Sequence, residues 1–307
     1  MSRPAPGSAQ TAATSHRSRL AVTFAVTLAV LVAEIIGAVW TGSLALLVDA
    51  AHVLTDSAGL ALALVAATLT LRPATPRRTW GYRRAEVLAA TGQAAVLLVV
   101  GCYALVDGVR RLLAPPEVAG GLLLVFGVIG LAANVAGILI LRGQRQANLS
   151  LRAAFLEVAA DALGSVAVIV GAIVITTTGW TGADAIAGMF IAVLILPRAV
   201  RILRETTGIL LESTPPGLDL ADVRRHILEL PHVRDVHDLH ASQIATGLPV
   251  ITAHVVLDDS CFRDGHAAAI LDEIQGCVAA HFPVSVEHST FQLELASHVG
   301  HEAITHE

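Results

Sequence analysis

Residues 43–64, SLALLVDAAHVLTDSAGLALAL, and residues 155–175, FLEVAADALGSVAVIVGAIVI, decide how this chain is read. Both stretches are apolar, and each carries two ligand-type side chains four residues apart: His52 with Asp56, and Glu157 with Asp161. Residues at i and i+4 share one helical face, a turn apart. A carboxylate inside a bilayer costs at least about 2.5 kcal/mol, so its default reading is functional. Glu157 and Asp161 are both acidic and cannot neutralise each other; they need a cation or a proton. Four converging groups of these types suit the tetrahedral preference of Zn2+. Asp49 lies on the same face as His52 and Asp56, but alone it reads better as a capping or helix-contact residue.

The rest of the chain supports a membrane setting. It has 307 residues, of which 54% are hydrophobic, and a mean hydropathy of +0.69. A bilayer span needs about 20 apolar residues. Windows of that kind fall at 20–40, 44–70, 86–113, 120–141, 153–178 and 184–203, which predicts six transmembrane helices. The first is too long for a cleavable signal peptide, and no small-residue cleavage site follows it. Every basic residue is Arg. Arg72, Arg77, Arg78, Arg83 and Arg84 follow the second span; Arg142, Arg145 and Arg152 follow the fourth; Arg198, Arg201 and Arg204 close the sixth. The positive-inside rule then places both termini in the cytoplasm of a multi-pass protein of the cell membrane. Arg110 and Arg111 beside the third-to-fourth loop are the exception.

Several classes are disfavoured. The net charge is −5, and no basic run points to nucleic acid. Cys102, Cys261 and Cys277 are scattered, without a CxxC pair. There is no HExxH and no GxxxxGK[ST], so neither a metalloprotease nor a P-loop pump is expected, and the chain is read as a non-enzyme. Glu34, Asp107, Asn134 and Asp184 are lone polar groups in or near spans and read as helix-contact or helix-end residues. Residues 72–84 contain neither His nor Asp, and residues 143–150 contain no His, so no metal site is expected in either loop.

The expected domains are a flexible tail at 1–18, a six-helix membrane domain at 19–205, a soluble domain at 212–296 and a flexible tail at 297–307. ESTPPG at 212–217 breaks the last long helix. Beyond it, Leu218–Leu230 reads as an amphipathic helix, Val233–Ile244 and Val250–Leu257 as strands, His266–His281 as a helix and Val284–Leu295 as a final strand. The order αββαβ suits a small α+β sandwich with helices on one sheet face. His237, His254 and His288 lie on or beside the strands, and Glu294 ends the last one. Neutral His is a common metal ligand, and one sheet can gather distant residues.

EIIGAVWTGSLALLVDAAHVLTD (34–56), TWGYRRAEVLAA (79–90), AAFLEVAADALGSVAVI (153–169) and VHDLHASQIATGLPVITAHVVL (236–257) together resemble the cation diffusion facilitator family. The similarity runs from about residue 20 to 295, with the motifs in the same order. The resemblance implies six transmembrane helices, a cytoplasmic ferredoxin-like domain, a homodimer in the lipid bilayer and exchange of divalent metal for protons. It places His52, Asp56, Glu157 and Asp161 at the transport site, and His237, His254, His288 and Glu294 at a cytoplasmic metal site. One position departs from the zinc branch, where the fifth helix usually carries HxxxD: here Glu157 stands in place of His. Carboxylate oxygen is harder than imidazole nitrogen and suits Mn2+ and Mg2+ better, although zinc accepts it too. Zn2+ stays first as cargo and as bound ion; Co2+, Cd2+, Fe2+ and Mn2+ stay open. Metal binding needs deprotonated ligands, so metal and protons compete for the same atoms. The other class in play is a membrane-anchored metal sensor, in which the soluble domain does the work.

Overall fold

The computed structural model describes residues 28–70, 72–141 and 149–298. The expected tail 1–18, the start of the first span, the loop residues 143–148 and the tail residues 299–307 lie outside the described residues. Six helices follow in succession: α1 (Leu28–Thr41), α2 (Leu44–Thr70), α3 (Ala85–Leu113), α4 (Gly120–Leu141), α5 (Leu149–Thr178) and α6 (Gly182–Leu210). Among the described residues, α3, α4, α5 and α6 each contain a stretch long and apolar enough to cross a bilayer; α1 is a shorter apolar helix. The third to sixth expected spans fall on these helices, and α6 continues past the expected end at 203 to Leu210. By contacts the described residues form two compact units, those within 28–61 and 92–201, and those within 62–91 and 202–298.

In the first unit, close helix packing is made by small residues. A Cβ added at Gly127 would stand 2.9 Å from Ile169 Cγ1, and one at Gly120 would stand 2.8 Å from Ile175 Cγ2. Both glycines face α5 from α4, as expected where helix backbones must approach closely without a hydrophobic drive between them. Leu44, Leu46, Val48, Leu97, Leu123 and Val168 are fully buried in the same cluster. Gly42, at φ +68°, turns the chain between α1 and α2. Asp184 then caps α2 from the start of α6: its carboxylate accepts from Leu44 N at 2.6 Å, from Ala45 N at 3.4 Å and from the Ser43 hydroxyl. An anion at a helix N-terminus meets the positive end of the helix dipole. This fixes the first turn of α2, and with it the direction of the face that carries Asp49, His52 and Asp56. Inside α6, Pro197 has no N–H to give the hydrogen-bond ladder.

The second unit contains the sheet. After α7 (Leu220–Leu228), capped by Asp219, come β1 (Val233–Ala245), β2 (Leu248–Leu257), the short α8 (Cys261–Asp264), α9 (Ala267–Ala280) and β3 (His288–Leu295). β1 and β2 pair antiparallel, β2 and β3 pair parallel, and the order is β1-β2-β3. Ile251, Ala253 and Val255 of β2 pack against Val223 and Ile227 of α7 and Ile270, Ile274 and Val278 of α9. The alternate residues Thr252 and His254 are not fully buried, so the opposite face carries the polar side chains.

Two details differ from expectation. The last strand begins at His288, not Val284, because residues 284–287 pack without pairing: Val286 is buried and donates its N–H to Val278 O at 3.2 Å. And β1 carries a bulge. His237 pairs with His254 while His240 pairs with Thr252, so three steps on β1 oppose two on β2. Asp238 absorbs the extra residue at φ +47°, in the left-handed region.

Candidate metal sites

Two groups of ligand-type side chains form, one in each unit. In the first, α2 presents His52 and Asp56 and α5 presents Asp161 on facing surfaces. His52 Nε2 lies 3.6 Å from Asp56 Oδ2 and 3.3 Å from Asp161 Oδ1. The His52 side chain is only 7% exposed, against 23% and 21% for the two carboxylates. His52 Nδ1 is buried with no hydrogen-bond partner. All four residues singled out by their spacing are therefore neighbours, but not in one closed ring. His52 joins Asp56 to Asp161, while Glu157 lies beside Asp56, within hydrogen-bonding reach of it, and shares Arg198 of α6 with it. Arg198 Nη1 donates to Glu157 Oε1 at 2.6 Å and to Asp56 Oδ2 at 3.4 Å. Gln93 of α3 donates to the other oxygen, Asp56 Oδ1, at 3.2 Å.

Neither Arg198 nor Gln93 stands out in the sequence as a site residue. Arg198 reads there as one of three arginines closing the sixth span. Instead it sits inside α6, directly after Pro197, and its long side chain reaches the carboxylates. Gln93 has a faint signal, as a lone amide in an apolar run; it packs against Gly59, where a Cβ would collide with its amide.

A second polar layer adjoins the first. Glu34 of α1 and Asp49 of α2 are both 4% exposed, and their carboxyls face each other within hydrogen-bonding reach. Glu34 Oε2 has no partner. Asn134 of α4 donates to Ser165 Oγ of α5 at 3.1 Å.

In the second unit, the pairing of His237 with His254 across β1 and β2 sets their rings 5.2 Å apart. Glu294 of β3 comes up beside them. Its Oε1 is 2.6 Å from His254 Nδ1, and its Oε2 is 3.8 Å from His237 Nε2. One ligand atom from each of the three lies within 4.8 Å of the others, the one such triad among the described residues. The Glu294 side chain is 1% exposed and its Oε2 lacks a hydrogen-bond partner. A buried carboxylate oxygen without a partner, facing two imidazoles, fits a divalent cation; N and O donors of this kind suit Zn2+. Gln292, which the sequence did not single out, donates to Glu294 Oε1 at 2.8 Å and holds the carboxylate.

His288 is not brought into this group. It starts β3, six residues before Glu294, and at about 3.3 Å per residue that is roughly 20 Å along the strand. It is exposed and stands edge-on to Trp80, with ring centroids 4.8 Å apart. His266 opens α9 and pairs with Asp264, Nδ1 to Oδ1 at 2.9 Å; that contact holds the Asp264 carboxyl below the usual range.

Comparison with known proteins covers nearly the whole chain. The family model for the cation efflux transmembrane domain matches residues 20–211, and that for the cation efflux protein cytoplasmic domain matches residues 215–296. The metal cation efflux system protein CzcD of Cupriavidus metallidurans is 39% identical over 277 residues, covering 90% of this chain and 86% of that protein. The zinc transporter ZitB of Escherichia coli is 38% identical over 282 residues, 91% of this chain and 88% of its own. The cadmium, cobalt and zinc/H(+)-K(+) antiporter of Bacillus subtilis is 35% identical over 292 residues, 94% and 93% of the two chains. Among solved structures, the metal-bound C-terminal domain of the CzcD transporter is 35% identical, with a TM-score of 0.22, covering 25% of this chain and 100% of that one.

Proposed function

The chain belongs to the cation efflux, or cation diffusion facilitator, family, and on that premise we propose that it is a secondary transporter that exports divalent metal from the cytoplasm in exchange for protons. The carrying observation is the meeting of His52, Asp56 and Asp161 from two helices inside the apolar unit, with Glu157 beside Asp56. The ligand set is one imidazole and three carboxylates. Zn2+ is the leading cargo, with Co2+, Cd2+, Fe2+ and Mn2+ as alternatives. The relatives named for zinc, and for cadmium, cobalt and zinc, support Zn2+, Co2+ and Cd2+ within that range.

The chemistry follows from the donor set. A metal ion binds only deprotonated ligands, so loading releases protons and protonation releases metal. With the site exposed alternately to the two sides, an inward proton gradient drives metal outward. His52 is the central ligand in this scheme: it touches both aspartates and keeps a second, buried nitrogen. The protein works as a homodimer in the cell membrane, with both termini in the cytoplasm. His237, His254 and Glu294 hold a resident ion, Zn2+ first, that ties β1, β2 and β3 together; the other expected ligand, His288, lies too far along β3 to share it.

The deciding experiment is metal transport into proteoliposomes under an imposed pH gradient. Wild type transports in proportion to the gradient, and Asp161→Ala does not. Normal transport by Asp161→Ala would make the intramembrane carboxylates structural and overturn the reading.

A further inference from the structure

We propose that Arg198 is a tethered cation that competes with the transported metal for Asp56 and Glu157, and thereby sets the affinity of the transport site. The inference rests on the transporter reading above and adds a residue to its machinery. A single atom, Arg198 Nη1, contacts carboxylates from two different helices: Glu157 Oε1 of α5 at 2.6 Å and Asp56 Oδ2 of α2 at 3.4 Å. These oxygens belong to two of the four proposed metal ligands. A guanidinium hydrogen-bonded to a carboxylate oxygen and a metal ion bound to it both draw on the same lone pairs. The Asp56 oxygen facing Arg198 is also the one facing His52, at 3.6 Å. Arg198 therefore stands where α2 and α5 would jointly hold a cation, and metal binding by Asp56 and Glu157 must move it aside.

Charge explains why such a group belongs there. Asp56, Glu157 and Asp161 together carry three negative charges when ionised, and a divalent cation supplies two positive ones. Arginine stays protonated at any physiological pH, so it balances one carboxylate without involving a proton. When metal departs, the guanidinium returns to the oxygens and spares them an unpaired state in a poorly solvated interior. That favours release as much as it opposes loading. The side chain has somewhere to go: it is 38% exposed, unlike the buried His52. Its backbone follows Pro197, where the hydrogen-bond ladder of α6 is interrupted.

The test is initial transport rate against metal concentration in proteoliposomes, for wild type, Arg198→Gln and Asp161→Ala, using Zn2+ and Cd2+. In Arg198→Gln the half-saturating concentration should fall about tenfold, the effect of losing one competing ion pair of about 1.4 kcal/mol. The maximal rate should fall as well, because release loses its assistance. Damage to the architecture would instead raise half-saturation. Because the guanidinium does not titrate, the affinity gap should persist at alkaline pH, where competition from protons has faded. Arg198→Met gives a second neutral variant if Arg198→Gln does not fold. In the unsubstituted protein, saturating Zn2+ should quicken phenylglyoxal modification of Arg198, followed by peptide mass spectrometry. Half-saturation unchanged or raised in a monodisperse neutral variant, or labelling indifferent to Zn2+, overturns the proposal. Asp161→Ala separates the two claims: if it is inactive while Arg198→Gln behaves as wild type, the transporter reading stands and only the role of Arg198 falls.

Discussion

His237 and His254 are direct register partners across the antiparallel β1–β2 pair, with their rings 5.2 Å apart at 61°. Register alone puts two imidazoles side by side, and the parallel strand β3 completes the group by adding a carboxylate from its far end. The purified full-length protein should therefore retain a slowly exchanging ion. Glu294→Ala should weaken its binding by more than about 100-fold, the upper end for loss of a partner that only orients a ligand, since it removes the carboxylate whose two oxygens face the two imidazoles. Metal content after dialysis, measured by mass spectrometry against wild type, checks this. Gln292→Leu should weaken binding less, because it removes only the amide that orients the carboxylate. His288→Ala should leave metal content unchanged.

Removing the same ion has a thermodynamic signature. A ligand held at a hundred times its dissociation constant stabilises the state it binds by about 2.7 kcal/mol. A chelator should thus lower the melting temperature of the wild-type protein measurably, and that of Glu294→Ala hardly at all. Equal shifts in the two proteins would place the stabilising ion elsewhere.

Asp184 should prove structural. It is 1% exposed and satisfies Ser43 and two amides at the start of α2. Asp184→Ala leaves those donors buried without an acceptor, at a cost of about 2–4 kcal/mol. It also removes a carboxylate 4.0 Å from Arg111. The expected outcome is a lower melting temperature in detergent and poor recovery of folded protein. Asp184→Asn, which keeps one acceptor oxygen, should fall between. A folded, stable Asp184→Ala that fails only in transport would contradict this role.

How much of this was legible beforehand depends on the geometry that carries each residue. Helical spacing is regular, so His52-x-x-x-Asp56 and Glu157-x-x-x-Asp161 announce their faces directly, and the faces do meet. Arg198 is the counterexample. Its position among Arg201 and Arg204 reads as a cytoplasmic anchor, and only the path of a long side chain shows it reaching inward. In the sheet, alternation marked the strands but not their pairing. The bulge at Asp238 shifts one half of β1 relative to the other, and no local pattern announces it. His288 and Glu294 lie on the same face of one strand, so parity alone groups them; distance along the strand separates them.

Asp258 gives a prediction about pH. At the end of β2 it pairs with Arg234 and with His232, the latter at 3.1 Å, and its N–H donates to His232 O at 3.0 Å. The Arg234 guanidinium first, and His232 second, hold its carboxyl below the usual carboxylate range. A carboxyl whose value is depressed in the folded state stabilises fully above its unfolded value, about 3.9. That contribution is lost as the pH falls through the lower, folded value. Asp258→Asn should therefore speed hydrogen exchange at the β1–β2 end near neutral pH, by a modest factor because its partners Arg234 and His232 are exposed. The difference from wild type should vanish in strong acid. A difference that grows with acidification would contradict this account.

The chemistry of Glu157 can be read through metal preference. With carboxylate at this position, the site offers one nitrogen and up to three oxygen donors, a set friendlier to hard ions than a nitrogen-rich one. Glu157→His exchanges an oxygen for a nitrogen and also deprives Arg198 of its closest partner, 2.6 Å away. The ratio of Zn2+ to Mn2+ transport should then rise roughly tenfold, as the borderline ion gains from the added imidazole more than the hard one does. Competition between the two ions in the same vesicles measures that ratio without reference to protein amount. Adding Arg198→Gln to Glu157→His should raise the affinity for both ions while leaving their order as Glu157→His sets it, because a point charge acts on both divalent ions alike. If the ratio does not move in Glu157→His, the Glu157 carboxylate does not coordinate the cargo, and its role reduces to holding Arg198.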